Sequence, residues 1–294
     1  MIPQKNKCYV KREYWEPAAH STRLAQKKIR YYYMHERDIT VRSRDNFSIS
    51  RYALIGGTAM KIMIVRHGEP DYSIDSLTEK GWKEVELLGE RLAKADIKDF
   101  YVSSYGRAKD TAKHALELTG KEAEICDWLR EFCPPFIDLP GREGGKTYLW
   151  DWKPEEWTAY PELFDAFRWT ENDIIKNSDA ENCYRDVTGH FEKLINKYGY
   201  YRNENGYYTT EAGNHDTICL VCHFGLECVL LSYLLNISPM VLWHSFLARP
   251  SSVTTLVTEE REKGRVLWRM VEFGDTSHLY AGGLKPSSVG LFRE

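Results

Sequence analysis

From Lys61 the chain reads Lys-Ile-Met-Ile-Val65, a short apolar run stopped by Arg66-His-Gly-Glu69. That pattern predicts a buried strand running into a loop. Residues 79–95 change to helical spacing, with Trp82, Val85, Leu88 and Leu92 assigned to the apolar face and Glu84, Glu90 and Arg91 elsewhere. A second short strand is predicted over 99–104 and a second helix over 107–118. Thr217-Ile-Cys-Leu-Val-Cys222 is the third clear strand; it ends in His-Phe-Gly before an apolar helix through Leu235. A helix around 181–197 leads into a Tyr-rich stretch that predicts a hairpin about Asn205-Gly206. Segments 252–258 and 265–271 alternate as two paired, half-exposed strands. Strand, loop and helix in this order predict an α/β fold, a largely parallel sheet flanked by helices.

Residues 132–175 break the rhythm. Pro134, Pro135, Pro140, Gly141, Gly144 and Gly145 punctuate the stretch, and Tyr148, Trp150, Trp152, Trp157, Tyr160, Phe164, Phe167 and Trp169 crowd its second part. This predicts an aromatic-rich insertion that caps the core.

Charge separates the chain into unlike parts. Residues 1–59 carry 12 Lys+Arg against 5 Asp+Glu, and the remainder 28 against 38, so a net charge of −3 is an average. The expected organisation is a basic extension over 1–59, poorly ordered or foreign to the native domain, and one domain over 60–294. An acidic body argues against wholesale nucleic-acid binding. The stretch from Cys228 to Trp243, interrupted by Asn236 and Pro239, is too short for a membrane span of about 20 residues. Residues 1–30 lack an apolar signal core, and Glu13 and Glu16 count against a mitochondrial presequence. Seven irregularly spaced cysteines suggest reduced thiols and a cytoplasmic protein.

In an open α/β sheet, ligands bind beyond the carboxyl ends of the strands. Three predicted strands deliver Arg66 and His67, then Arg107, then His223 to that end. Two histidines that each end an apolar strand, with arginines nearby, suit phosphoryl transfer through a covalent histidine intermediate. A neutral imidazole nitrogen is nucleophilic near neutral pH. Planar guanidinium forks complement the charge on the transferred group. No metal or cofactor is required if two arginines and a second histidine supply the positive charge. The helix after His223 would also aim its N–H groups at an anion.

Five ordered segments resemble the histidine phosphatase (phosphoglycerate-mutase-like) superfamily. Arg66-His-Gly-Glu69 is similar to its RHG signature, and Leu77-Thr-Glu-Lys-Gly81 to the segment opening its first helix. Ser103-Ser-Tyr-Gly-Arg107-Ala-Lys-Asp-Thr-Ala112 resembles its phosphate-arginine segment, Leu129-Arg-Glu131 its proton-donor segment, and Val221-Cys-His223-Phe-Gly225 its second-histidine segment. The resemblance implies a three-layer phosphoglycerate-mutase-like fold. It also implies His67 as nucleophile, Arg66, Arg107 and His223 as the phosphate pocket, and Glu131 as proton donor and then base. The expected activity is hydrolysis of phosphorylated small molecules. The alternatives are a phosphoglycerate-type phosphomutase or a catalytically silent binding module on the same fold. Mutases of this family usually follow RHG-E with a small polar residue and an Asn; Pro70-Asp-Tyr-Ser-Ile-Asp75 departs from that and favours a phosphatase.

Other patterns compete less well. Gly141-Arg-Glu-Gly-Gly-Lys-Thr147 imitates a nucleotide-binding loop, but Pro140 stands where its first glycine belongs. A mobile loop whose Arg142 or Lys146 meets substrate fits better. Cys219 and Cys222 lie within a strand at a spacing that faces them oppositely, as inert buried thiols. His114, His190, His215, His244 and His278 receive no role. The aromatic stretch is expected chiefly to pack the cap, with some Trp and Tyr side chains shaping an apolar leaving-group pocket.

Overall fold

The structure is a computed structural model that describes residues 10–12, 30–32, 59–133, 136–139 and 144–290. The chain divides into two compact units, Met1–Ile55 and Gly56–Glu294. In the first, β1 (Val10–Arg12) pairs antiparallel with β2 (Arg30–Tyr32). The rest of the expected 1–59 extension lies outside the described residues, apart from Ala59.

In the second unit, β3 (Lys61–Arg66) is buried along nearly its whole length. The short strands β4 (Pro70–Asp71) and β5 (Ser76–Leu77) form a hairpin beside it in sequence. Then come α1 (Glu79–Ala93), β6 (Asp99–Ser103), α2 (Gly106–Thr119) and β7 (Ala123–Cys126). The insertion supplies the hairpin β8 (Phe136–Asp138) and β9 (Lys146–Tyr148), α3 (Pro154–Trp157), 3₁₀ turns at Pro161–Phe164 and Trp169–Glu171, and α4 (Asp173–Lys176). The chain continues through α5 (Ala180–Lys197), β10 (Tyr201–Arg202), β11 (Tyr208–Thr209), β12 (Thr217–Cys222) and α6 (Phe224–Leu235). It ends with α7 (Pro239–Ser245), β13 (Val253–Glu262), β14 (Arg265–Asp275) and α8 (Ser277–Ala281).

These strands form one eight-stranded sheet in the order β10-β11-β14-β13-β3-β12-β6-β7. The sheet is largely parallel: β3, β12, β6 and β7 run side by side in one direction. β13 runs against β3 and opens an antiparallel wing through β14, β11 and β10. Helices cover both faces, which is why β3 and β12 can be apolar on both. Met63, Val65, Cys219 and Val221 face one core with Leu88 and Leu92 of α1 and Ala108 and Ala112 of α2. Ile62, Ile64, Leu220 and Cys222 face the other, with Phe191 of α5, Val229 of α6 and Trp169 of the insertion. Cys219 and Cys222 thus lie on opposite faces, both fully buried and free. α6 is buried nearly all round, so it shows no amphipathic stripe.

Three expectations need correction. In α1, Trp82 is exposed and Glu84 is fully buried. A Cβ on Gly81 would stand 2.3 Å from the Glu69 carbonyl oxygen, so this side of the helix is pressed against the preceding loop. At about 100° per residue, Trp82 is turned away from that side, whereas Glu84 borders the arc of Val85, Leu88 and Leu92 next to Leu88. The Val253–Leu256 half of β13 is buried rather than half-exposed, because it sits between β3 and β14. Lys146, expected in a mobile loop, belongs with Thr147 to β9, and a strand rather than a helix after this segment agrees with setting the nucleotide-loop pattern aside. Arg142 lies outside the described residues.

Candidate active site

Strand register builds the centre of the site. Arg66, the last residue of β3, is the parallel partner of Cys222, the last of β12, so His67 and His223 leave adjacent strands together. The His67 N–H donates to the Cys222 carbonyl at 3.0 Å, and the Ser251 N–H donates to the His67 carbonyl at 3.0 Å. The two imidazoles, 2% and 0% exposed, have ring centroids 5.1 Å apart.

The tautomer of His67 is set by its partner. Nδ1 lies 2.8 Å from the Gly68 carbonyl oxygen, which can only accept, so Nδ1 carries the proton. Nε2 therefore keeps its lone pair. Burial, the Arg66 and Arg107 charges acting with it, pulls the His67 pKa down to about 3, so the ring is neutral near pH 7. His223 is likewise pushed far below its ordinary range by burial and the neighbouring positive groups. Its Nε2 lies 2.8 Å from the Ser103 hydroxyl at the end of β6. Donation by that hydroxyl leaves the ring proton on Nδ1, which has no protein partner.

Both arginines are anchored through one arm. Arg66 Nη1 donates to the Ala248 carbonyl at 2.6 Å, and its guanidinium lies 5.6 Å from the Phe224 ring centroid. Burial lowers its pKa, opposed by the Tyr72, Glu131 and Glu227 side chains. Arg107, in the first turn of α2, donates from Nη1 to Asp75 Oδ1 at 2.6 Å. Its guanidinium lies 4.6 Å from the Tyr105 ring centroid and 5.4 Å from that of Tyr72. Asp75 also accepts the Gly106 N–H at 2.7 Å and adopts a left-handed φ of 49°. Nε of each arginine is buried without a protein partner. Thr111 ties the two loops: it accepts the Gly68 N–H at 2.9 Å and donates to the Arg107 carbonyl at 2.7 Å.

Glu131 comes after the 3₁₀ turn Asp127–Leu129 that succeeds β7. Its Oε1 accepts the Phe132 N–H at 2.9 Å and the Leu226 N–H at 3.0 Å, so the amide-rich start of α6 faces this carboxyl. Burial still raises its pKa, against those donors and Arg66. A Cβ on Gly225 would stand 2.6 Å from Trp150 Cζ3 and 2.8 Å from Glu131 Oε1, so only glycine lets these side chains close here.

The sequence model of the histidine phosphatase superfamily (branch 1) matches residues 62–271. The chain belongs to the histidine phosphatase superfamily. Mitochondrial serine/threonine-protein phosphatase Pgam5 of Caenorhabditis briggsae is 34% identical over 114 residues, 36% of this chain and 38% of that one. The Caenorhabditis elegans Pgam5 is 30% identical over 133 residues, 43% of this chain and 39% of that one. The match thus spans about four-tenths of these relatives' length. A solved structure named mycobacterial hydrolase 1 shares 17% identity, covering 74% of this chain and 99% of its own at a TM-score of 0.48. An Entamoeba histolytica phosphoserine phosphatase mutant, solved with phosphoserine, shares 19% identity, with coverage of 75% and 99% and a TM-score of 0.47.

In this histidine phosphatase domain, Arg66, His67, Arg107, Glu131 and His223 lie close enough to perturb one another electrostatically. Lys146 is exposed on β9, opposite Asp138 in the hairpin. Several supporting residues escape a reading of the sequence. Ser103 and Asp75 stand out there only as parts of motifs, and Tyr105 and Trp150 only as members of a segment or an aromatic run. Glu227 is 1% exposed and accepts the Thr254 hydroxyl at 2.5 Å; burial pushes its pKa up to about 7. A lone carboxylate within the apolar run of α6 is the signal that could have found it. Among the described residues, no group of three or more His, Cys, Asp or Glu side chains could hold a metal ion. None of their helices is long and apolar enough to cross a membrane.

Proposed function

We propose that the domain hydrolyses phosphomonoesters through a phosphohistidine on His67. The observation that carries this reading is the His67 tautomer: Nδ1–H is committed to the Gly68 carbonyl, leaving an unprotonated Nε2 among buried cationic donors. In the first step the Nε2 lone pair attacks phosphorus and the ester P–O bond breaks. Protonated Glu131 gives its proton to the departing oxygen, and its raised pKa favours the form that can do so. Arg66, Arg107 and His223 Nδ1–H hold the equatorial oxygens as charge redistributes. In the second step water attacks phosphorus, its proton passes to the Glu131 carboxylate, and the P–N bond breaks. Inorganic phosphate leaves, with His67 neutral and Glu131 protonated again.

The proposed substrates are phosphorylated small molecules. Asp75 and Tyr72, which flank Arg107, lie on the hairpin that departs from the mutase pattern, and that departure supports a phosphatase over a mutase. The free buried thiols agree with a reducing compartment such as the cytoplasm. The test is turnover of p-nitrophenyl phosphate by wild type and His67→Ala, with trapping of an acid-labile, base-stable phosphoryl label. Loss of both turnover and label in the variant is expected; normal turnover by His67→Ala refutes the mechanism.

A further inference from the structure

The β8–β9 hairpin carries an aromatic surface that the core does not use. Ile137 and Thr147 point inward, whereas their neighbours Phe136 and Tyr148 are 48% and 38% exposed. Phe136 and Tyr148 are register partners, and their ring centroids lie 4.4 Å apart. Tyr148 stacks in turn on Trp150, at 5.4 Å between centroids and 20° between planes. Packing of the cap does not need Phe136 and Tyr148, because Trp152, Trp157 and Trp169 of the same insertion are buried in the core and Trp150 packs half-buried against it.

The inner end of this ladder meets the chemistry. Trp150 and Glu131 converge on the bare face of Gly225. Trp243 backs the same point: its indole N–H donates to the Gly225 carbonyl at 3.0 Å, and its ring lies 6.4 Å from that of Trp150. An isolated exposed aromatic is ordinary on a protein surface. Three rings in sequence, leading from solvent to a buried carboxyl, form a directed surface.

Provided Glu131 protonates the departing oxygen, as the proposed function requires, the group attached to that oxygen must lie on Glu131's side of the phosphate. The geometry points to Trp150, Tyr148 and Phe136 as the leaving-group subsite, and to phosphomonoesters of flat aromatic alcohols as the substrate class. Ring faces reward stacking of flat apolar groups. They give a sugar's hydroxyls few partners, so a sugar ring placed there loses hydrogen bonds to water without replacing them. The Arg and His donors remain for the phosphoryl oxygens. Selection between esters therefore falls to the ladder.

The experiment compares kcat/KM for 2-(1-naphthyl)ethyl phosphate and glucose 6-phosphate, both esters of primary alcohols, so leaving-group acidity does not decide the result. p-Nitrophenyl phosphate serves as the check on phosphatase activity itself. The naphthylethyl ester is expected to win by on the order of tenfold. Phe136→Ser and Tyr148→Ser alter exposed rings rather than the core, and circular dichroism confirms that each variant is folded. Each is expected to lower the naphthylethyl-to-glucose ratio by about two- to twelvefold, the value of one lost aromatic partner. A ratio near one in wild type, or a ratio unchanged in both folded variants, overturns the subsite while leaving the phosphatase intact. No turnover of any of the three esters removes the proposed function and the subsite together.

Discussion

Gly225→Ala tests the placement of Glu131, the proposed proton donor, without removing it. The added methyl would stand 2.8 Å from Glu131 Oε1 and 2.6 Å from Trp150 Cζ3. Ordinary carbon contacts begin at about 3.5 Å, so both groups must retreat by several tenths of an ångström or more. The Trp150 ring is partly held by Tyr148 and Trp243. Glu131 is held by backbone N–H groups, so neither side yields freely. Overpacking of this kind costs about 1–3 kcal/mol, against which alanine regains about 1 kcal/mol of helix propensity. The net expectation is a small loss of stability and a folded protein at 25 °C.

Catalysis by Gly225→Ala should depend on the leaving group. A positioned general acid contributes about 10²–10⁴-fold, and a misplacement of about 1 Å costs on the order of 10²-fold. Turnover of an alkyl phosphate, whose alkoxide needs the proton, is expected to fall by roughly 10- to 100-fold. Turnover of p-nitrophenyl phosphate, whose phenolate leaves unaided, should fall far less. The assay is kcat/KM for both esters at one pH, alongside a thermal melt. Equal losses on both esters, with the melt unchanged, would refute the assignment of Glu131 as the acid.

Three further outcomes are expected. Asp75→Ala frees both the Arg107 guanidinium and the Gly106 N–H; loss of a charge-assisted anchor should raise KM and the vanadate inhibition constant by about tenfold, and an unchanged vanadate constant argues against positioning by Asp75. Glu84 is fully buried, accepts the Glu69 N–H at 2.9 Å, and has its pKa pushed up to about 7 by burial. A folded pKa above the unfolded value means stability is full below pH 4.5 and is lost as pH rises through 7. Glu84→Gln should therefore gain up to about 3 kcal/mol relative to wild type at pH 8 and little at pH 5, as read from urea midpoints; a pH-independent difference defeats the argument. A chain beginning at Met60 is expected to keep its melting temperature and activity, because Met60 is itself buried and its carbonyl accepts the Thr258 N–H at 3.0 Å; failure of that chain to fold would make residues 1–59 part of the domain.

The parts legible in the sequence are those fixed by short-range pattern. β3 and β12 announce themselves because a strand buried on both faces is a continuous apolar run, and Arg66-His67 and His223 stand directly where those runs stop. α2 and α5 carry enough periodicity to be bounded within a residue or two. Glu84 is misplaced by periodicity because helical spacing cannot show that the Glu69 N–H needs a buried acceptor 15 positions away. Asp75 is an ordinary loop acid until the fold brings α2 against its hairpin. The Phe136, Tyr148 and Trp150 ladder is invisible as geometry: cross-strand register and the bare face of Gly225 align the three rings, while composition shows only a cluster of aromatics.

The register between β3 and β12 also governs when the enzyme comes into being. These neighbouring strands are far apart in the chain, Lys61 of β3 lying beside Thr217 of β12, and Ser103 reaches His223 across 120 positions. Local segments such as α1, α2 and α5 can form early, but no fragment that stops before β12 brings His67 beside His223. Pairing across such separations carries a loop-closure cost and is slow. The imidazole pair is thus a late product of folding. A nascent chain still lacking β12 has His67 but neither His223 nor the α6 start that meets Glu131, so the proposed site stays incomplete until the sheet has closed around it.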